Sequence, residues 1–147
     1  MATLFREHRF VVVLFLCVGC DGPSSHEPLS INGVVGAAND DKDLIGSYMR
    51  ESQELYADES PVEGAFVFLS FDREGARVVP TSTVRSDRRG YYRIELVKPQ
   101  PAESDDGYYL HVSKPGHISL VRTIRLGTWT PFKYHTVVLK RVPKQGA

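Results

Sequence analysis

Seven segments of the chain are rich in β-branched and aromatic residues, and each is six to ten residues long. Glycine, proline, aspartate or serine bounds each segment, which is typical of short strands joined by turns. The pattern therefore predicts an all-β sandwich or barrel. Pro80 lies inside the third segment and predicts an edge strand or a broken strand there. In order, the segments read LSINGVVG, GAFVFLSF, ARVVPTSTV, GYYRIELV, GYYLHVSK, HISLVRTIRL and YHTVVLKRV.

Alternation with a period of two residues assigns the faces of the later strands. One buried and one solvated face is the pattern of an antiparallel sheet. Residues Tyr91, Tyr109, His111 and Thr136 are predicted to face outward. The predicted inward residues are Tyr92, Ile94, Leu96, Tyr108, Leu110, Val112, Val137 and Leu139.

Residues 39–57 depart from the strand pattern. Leu44, Tyr48 and Leu55 recur at nearly helical spacing, and acidic residues fill the first turn, where the helix dipole favours them. Asn39 or Asp40 is the candidate cap for such a helix. The sequence therefore predicts a short helical insertion between the first two strands.

The N-terminus has the features of an export signal. Arg6 and Arg9 precede the apolar run FVVVLFLCV, and small residues and Cys20 follow it. This run is too short for a spanning helix and fits a signal peptide over residues 1–19. The alternative, a buried strand, is disfavoured because the next residues, DGPSSHEP, are loop-like.

The sequence LCVGC resembles the bacterial lipobox, in which the cysteine that follows a small residue receives a lipid. The resemblance implies that Cys20 becomes the acylated N-terminus; Cys17 stands where the pattern usually has leucine. Acyl chains of this kind hold a protein durably on a membrane. Both cysteines of the chain lie in this segment, so the predicted mature domain has no disulfide. We expect a tether over residues 20–28, a domain over 29–142 and a tail over 143–147.

Charge is unevenly distributed along the chain. Residues 39–63 contain eight acids and two bases, whereas residues 64–147 contain seven acids and fourteen bases. The bases are spread over several predicted strands of an exported chain, which disfavours a nucleic-acid partner. No phosphate-binding loop, nucleophile elbow or calcium loop is present. We therefore predict no cofactor and no metal, although His111 and His135 could meet across strands.

The strand motifs resemble the carboxypeptidase regulatory-like domain over roughly residues 29–141. That family implies a seven-stranded Greek-key sandwich of the transthyretin type, with non-catalytic roles in binding or scaffolding. The longer segment 39–60, the acidic loop 98–107 and His117 depart from the family pattern. The matched signature residues are Gly33, Pro61, Gly64, Ala65, Asp87, Gly90, Tyr92 and Gly116.

We therefore expect a membrane-anchored, non-catalytic lipoprotein in the bacterial envelope that binds another envelope protein or a glycan. Loops 39–60 and 98–107 are the first candidates for an interface. A carbohydrate-binding module would need outward aromatics on one surface, with Tyr91, Tyr109 and Trp129 as candidates. An enzyme of the intradiol dioxygenase type would use Tyr108, Tyr109, His111 and His117, but the His-x-His pair of that family is missing.

Overall fold

The structure, a computed structural model, describes residues 29–39, 45–96, 107–125 and 132–143. This part of the chain contains nine β-strands and no helix, which confirms the all-β prediction and leaves no helix there to cross a membrane. The sequence predicted seven strands; the two that it did not predict, Tyr48–Arg50 and Glu59–Pro61, have three residues each. The signal segment 1–19, Cys20, the tether, Trp129 and residues 98–106 of the predicted interface loop lie outside the described residues. The strands are β1 Leu29–Ala38, β2 Tyr48–Arg50, β3 Glu59–Pro61, β4 Phe66–Ser70, β5 Val84–Arg85, β6 Tyr91–Leu96, β7 Tyr108–Ser113, β8 Leu120–Ile124 and β9 Phe132–Leu139.

The strands form two sheets. In the five-stranded sheet, β9 lies between β2 and β1, and β1 pairs along its other edge with both β6 and β3. The four-stranded sheet has the order β5-β4-β7-β8. The pair β1–β9 is parallel, while the other strand pairs of these two sheets are antiparallel.

The core lies between the sheets. Ile31 and Ile94 from the five-stranded sheet and Leu69 and Leu110 from the four-stranded sheet are fully buried in one cluster. Strand β6 alternates strictly between exposed and buried residues, as the sequence predicts. Burial of apolar surface, at about 25 cal/mol per Å², is the main stabilising contribution of such a cluster. The described residues therefore pack as a sandwich.

The predicted helical insertion is wrong for the described residues of that segment. Tyr48–Arg50 pairs with β9, and Glu59–Pro61 pairs with β1. Between these two edge strands, residues 51–58 cross the outer face of the five-stranded sheet. Strand pairing replaces the helix because Met49 packs against the core as one residue of a strand, and isolated short helices gain little without such packing.

This crossing segment buries the second face of β9. Thr136 and Val138 face outward, yet both are fully buried. The hydroxyl of Thr136 donates to the carbonyl oxygens of Ser52 and Glu54 at 3.2 and 3.3 Å. The outward prediction for Thr136 is thus correct in direction, but the face is covered by protein instead of water.

Candidate interaction surfaces

The signature turn before β6 is built around Asp87. Its Oδ1 accepts the amides of Arg89 at 2.8 Å and Tyr91 at 2.9 Å. Gly90 has φ +80°, and a Cβ there would collide with the carbonyl oxygen of Val35. Only glycine satisfies both constraints. The turn therefore fixes Tyr91 on the outer face and sends the next residue into the core.

Tyr92 lies across Gly33 on the inner face. A side chain at Gly33 would collide with the Tyr92 ring and with the His135 carbonyl. Tyr92 is buried, its hydroxyl has no hydrogen-bond partner in the described structure, and burial raises its pKa. Close approach of the backbone here depends on glycine, so this pair serves packing instead of chemistry.

The other signature residues also have structural positions. Gly64 and Gly116 adopt φ +69° and +79° in turns. Ala65 is fully buried, and Pro61 ends β3 at an exposed position. Within the described residues, the signature provides turns and core contacts.

A buried ion pair holds the crossing segment 51–58 in place. Arg50 Nη1 and Nη2 each donate to one Glu59 carboxylate oxygen at 2.6 Å. The Tyr48 hydroxyl at 3.2 Å and the Tyr56 amide at 2.8 Å donate to the same carboxylate. Arg50 also stacks 3.8 Å from the centre of the Tyr56 ring. Because β9 and β1 lie between β2 and β3, this pair ties opposite edges of the sheet together.

Competing effects set the pKa of Glu59. Burial by itself would raise this pKa, but the Arg50 hydrogen bonds and the Tyr56 amide reverse the effect and leave it below its usual value. The carboxylate is therefore ionised and fully engaged at neutral pH. Within the predicted interface segment 39–60, residues 48–60 are tied into the sheet through β2, β3 and the ion pair instead of forming a free loop. Residues 40–44 lie outside the described residues.

Ser70 and His111 form a close pair on the outer side of the four-stranded sheet. Ser70 Oγ lies 2.7 Å from His111 Nε2 and donates to the Asp72 carbonyl oxygen at 2.5 Å. Since that proton is already used, the Nε2–H of His111 donates to Ser70. Ser70 is fully buried, so a substrate cannot reach the hydroxyl. The pair orders the turn after β4.

The turn after β4 also explains why His111 is buried. The sequence predicts His111 outward, and its side chain does face outward, yet it is only 8% exposed. A Cβ on Gly75 would lie 3.1 Å from His111 Cε1, which shows how closely the turn covers the ring. Burial lowers the pKa of His111, and the nearby Asp72 only partly counters this effect.

Aromatic and aliphatic side chains cover the outer side of the four-stranded sheet. Phe68 stacks on His111 at 4.5 Å with 6° between the ring planes, and Phe66 tilts against Phe68 at 5.6 Å. Phe66, Val78 and Val121 are 37, 45 and 37% exposed. We call this surface the aromatic face; its residues are Phe66, Phe68, Val78, Tyr109, His111 and Val121.

Arginines border the aromatic face. Arg85 lies over the Phe66 ring at 5.5 Å. Arg73 and Arg122 line a hollow of about 500 Å³ with Tyr109 and Val121. Contiguous apolar surface with a polar rim is typical of sites that bind other proteins.

A second surface lies on the outer side of the five-stranded sheet. There a cleft of about 650 Å³ runs beside Asn32 of β1 and continues over β6 towards Arg85 and Asp87. Tyr91 and Tyr134 are 50 and 44% exposed. We call this the tyrosine cleft; its outer-face residues are Asn32, Gln53, Glu54, Tyr91, Arg93 and Tyr134.

The structure separates several residues that the sequence grouped together. Tyr91 and Tyr109 lie on the outer faces of different sheets, so they do not form one aromatic platform. His111 and His135 belong to different sheets, and His117 lies in the turn after β7, where its Nδ1 is 3.2 Å from the Pro115 carbonyl. No group of three or more metal-binding side chains is found among the described residues.

Phe66, Phe68 and Tyr134 were not among the sequence candidates. A signal for the phenylalanines exists: in GAFVFLSF both parities of β4 are apolar, so one apolar set must face away from the core. Tyr134 has no such local signal, because its place beside Asn32 depends on the parallel pairing of β9 with β1.

No protein-family model matches the chain, and no curated protein matches it. Among solved structures, the crystal structure of the major plantain pollen allergen Pla l 1 resembles it with a TM-score of 0.47 and 14% sequence identity. That match covers 78% of this chain and 94% of the allergen chain. At this distance the likeness carries no argument about function.

Proposed function

We propose that this chain is an exported lipoprotein, acylated at Cys20, whose sandwich docks a second envelope protein and performs no catalysis. The anchor rests on the basic residues, apolar run and LCVGC motif of the N-terminus. The domain type rests on the strand motifs that resemble the carboxypeptidase regulatory-like family, with its Greek-key topology.

The aromatic face is the observation that carries the docking role. Of its exposed residues, Phe66 and Val121 lie on the two strands that flank β7. Val78 bridges to Ser70 at the end of β4. Contact of this apolar surface with water is unfavourable, and covering it with a partner lowers the free energy. Strand pairing and the Phe68–His111 stack hold the face in shape, which lowers the entropy that binding would cost.

The rim of the aromatic face selects the kind of partner. Arg73, Arg85 and Arg122 are exposed around it, and the exposed acids nearest to Arg73 and Arg85 in sequence are Glu74 and Asp87. A partner surface with an apolar centre and carboxylates at its edge complements this arrangement. Such rim charges steer the encounter more than they add affinity, so the phenylalanines carry most of the expected binding energy.

Acylation is tested first by metabolic labelling with a palmitate analogue in the native host. We expect label on the wild-type chain and none on Cys20→Ala, which should also leave the membrane fraction. An unlabelled wild-type chain would contradict the proposed anchor.

Docking is tested by quantitative co-purification of the full, lipidated chain from solubilised membranes. Phe66→Ser and Val121→Ser should reduce recovery of one specific envelope protein roughly tenfold, as expected for loss of a central apolar contact. Val142→Ser is the matched control, because Val142 is 52% exposed and lies outside the face. Equal recovery with all three variants would contradict docking through the aromatic face.

A further inference from the structure

The tyrosine cleft meets the border of the aromatic face at Arg85 but otherwise uses different residues, and it combines two kinds of contact. Its two tyrosines are about half exposed, and tyrosine rings supply large contact areas at low entropic cost. Between them, Asn32 contributes an amide from the floor, and Gln53 contributes a second amide from the crossing segment. Amides both donate and accept hydrogen bonds.

Sheet register fixes the spacing of the tyrosines. Tyr91 pairs with Val34, whereas Tyr134 pairs with Asn32, so the tyrosines stand diagonally on either side of β1. Standard strand spacings place their Cα atoms about 12 Å apart. A short oligosaccharide can contact both rings across this distance and the Asn32 amide between them.

The charges of the cleft balance. Arg85 and Arg93 bring two positive charges, while Glu54 and Asp87 bring two negative charges. Glu95, outside the cleft lining, pairs with Arg93 (Oε1 to Nη2, 2.7 Å) and adds one negative charge beside the cleft. A cleft without net positive charge does not favour phosphates or polyanions. It suits a neutral ligand that has many hydrogen-bonding groups.

The cleft is also held in shape without a ligand. The Asp87 carboxylate fixes the Tyr91 amide at 2.9 Å. The Arg50–Glu59 pair and the Thr136 hydroxyl hold the crossing segment that supplies Gln53 and Glu54. Tyr134 projects from β9, an interior strand of its sheet. A pre-organised site of aromatic and amide groups is well suited to weak, hydroxyl-rich ligands.

We propose that the tyrosine cleft is a binding site for a neutral oligosaccharide, with Tyr91 and Tyr134 stacking on sugar rings and Asn32 hydrogen-bonding their hydroxyl groups. This site goes beyond the proposed docking role and uses the opposite sheet. It gives the protein two independent contacts in the envelope, one to a protein and one to a glycan.

The test is an NMR titration of the full, lipidated chain in detergent micelles with maltohexaose, cellohexaose and chitohexaose. We expect at least one of these glycans to bind in the millimolar range or tighter, with shifts concentrated at Asn32, Tyr91 and Tyr134. Tyr91→Ala and Tyr134→Ala should each weaken binding roughly tenfold. Tyr134→Phe should retain most of it, because the ring remains.

Phe66→Ser separates this inference from the docking role. It should leave glycan affinity within twofold while it reduces recovery of the protein partner. Tyr134→Ala should weaken glycan binding and leave recovery of the protein partner unchanged. Both tyrosines are about half exposed, so thermal midpoints close to wild type should verify that their variants fold. Absence of cleft shifts with all three glycans, or unchanged affinity in both alanine variants, would overturn the proposal.

Discussion

Replacing Glu59 by glutamine tests the ion pair that ties the two edges of the five-stranded sheet together. The Glu59 side chain is only 2% exposed, and that of Arg50 is 16% exposed. The substitution keeps the shape of the side chain, but it leaves the guanidinium without its counter-charge. It also directs an amide NH₂ at groups that already donate, the Tyr56 amide among them.

The expected loss follows from burial. Breaking a buried pair by removing one partner costs about 3–5 kcal/mol. Arg50 keeps some contact with water and a bond to the Glu54 carbonyl at 3.0 Å, so we expect the lower end, about 3 kcal/mol. The free energy of unfolding of a small domain is about 5–15 kcal/mol, so this loss would be a large fraction of the total stability.

Urea denaturation followed by circular dichroism measures this loss. With a slope of about 2 kcal/mol/M, the midpoint should fall by about 1.5 M. Glu63→Gln is the matched control, since the Glu63–Arg88 pair is exposed and 3.8 Å long and should contribute less than about 1 kcal/mol. The double variant Arg50→Met/Glu59→Gln should recover part of the loss, because it removes the unpaired charge.

The pH dependence provides a second check of the same pair. The folded-state pKa of Glu59 lies below its ordinary value, so the native state binds this proton less tightly than the unfolded chain does. The stability that the ionised Glu59 contributes is complete above the pKa of the unfolded chain, about 4.5, and is lost as pH falls through the lower pKa of the folded state. A midpoint for Glu59→Gln equal to that of Glu63→Gln at pH 7 would refute the reasoning.

Three further substitutions probe the turns and the core. Because the His111 pKa is lowered in the native state, the native protein binds fewer protons than the unfolded chain, and the wild type should lose stability as pH falls below about 6.5. His111→Phe keeps a ring beside Phe68 and should reduce this loss. Urea midpoints at pH 7.5 and 5.5 measure it, and an equal fall in the midpoint for wild type and variant would contradict the role of His111. Gly90→Ala should cost at least about 2 kcal/mol, since φ +80° and the Val35 carbonyl both exclude a Cβ; a thermal midpoint within 2 °C of wild type, on a scale of about 4–8 °C per kcal/mol, would be inconsistent with that geometry. Tyr92→Phe should be neutral or stabilising by about 1 kcal/mol, because the hydroxyl is buried without a partner, and a clear loss in the same melt would show that the hydroxyl is used.

The parts of the fold that depend on local pattern were predictable. Strict alternation over Tyr91–Leu96 fixed which residues face the core, and the spacing of Asp87 and Gly90 indicated the turn that precedes them. These features follow from strand geometry and turn chemistry within a few residues. The sequence therefore supports the all-β class and the identity of much of the core.

The parts that depend on distant pairing were not predictable. The helical spacing of Tyr48 and Leu55 is real, but pairing with β9 and the contact of Leu55 with Gly36 override it. His111 is buried because a turn from another strand folds over it. The tyrosine cleft exists because β1 pairs with β6 on one side and with β9 on the other. These strands lie far apart in sequence, so local periodicity does not encode their meeting.

Photo-crosslinking in intact cells tests the central claim, docking through the aromatic face, most directly. A photoreactive residue replaces Val121 on the aromatic face, or Glu95 on the opposite sheet, in the full lipidated chain. We predict one discrete adduct with an envelope protein from position 121, none of that species from position 95, and loss of the adduct when Phe66→Ser is added. No adduct at position 121, or the same adduct from both positions, would contradict docking through this face.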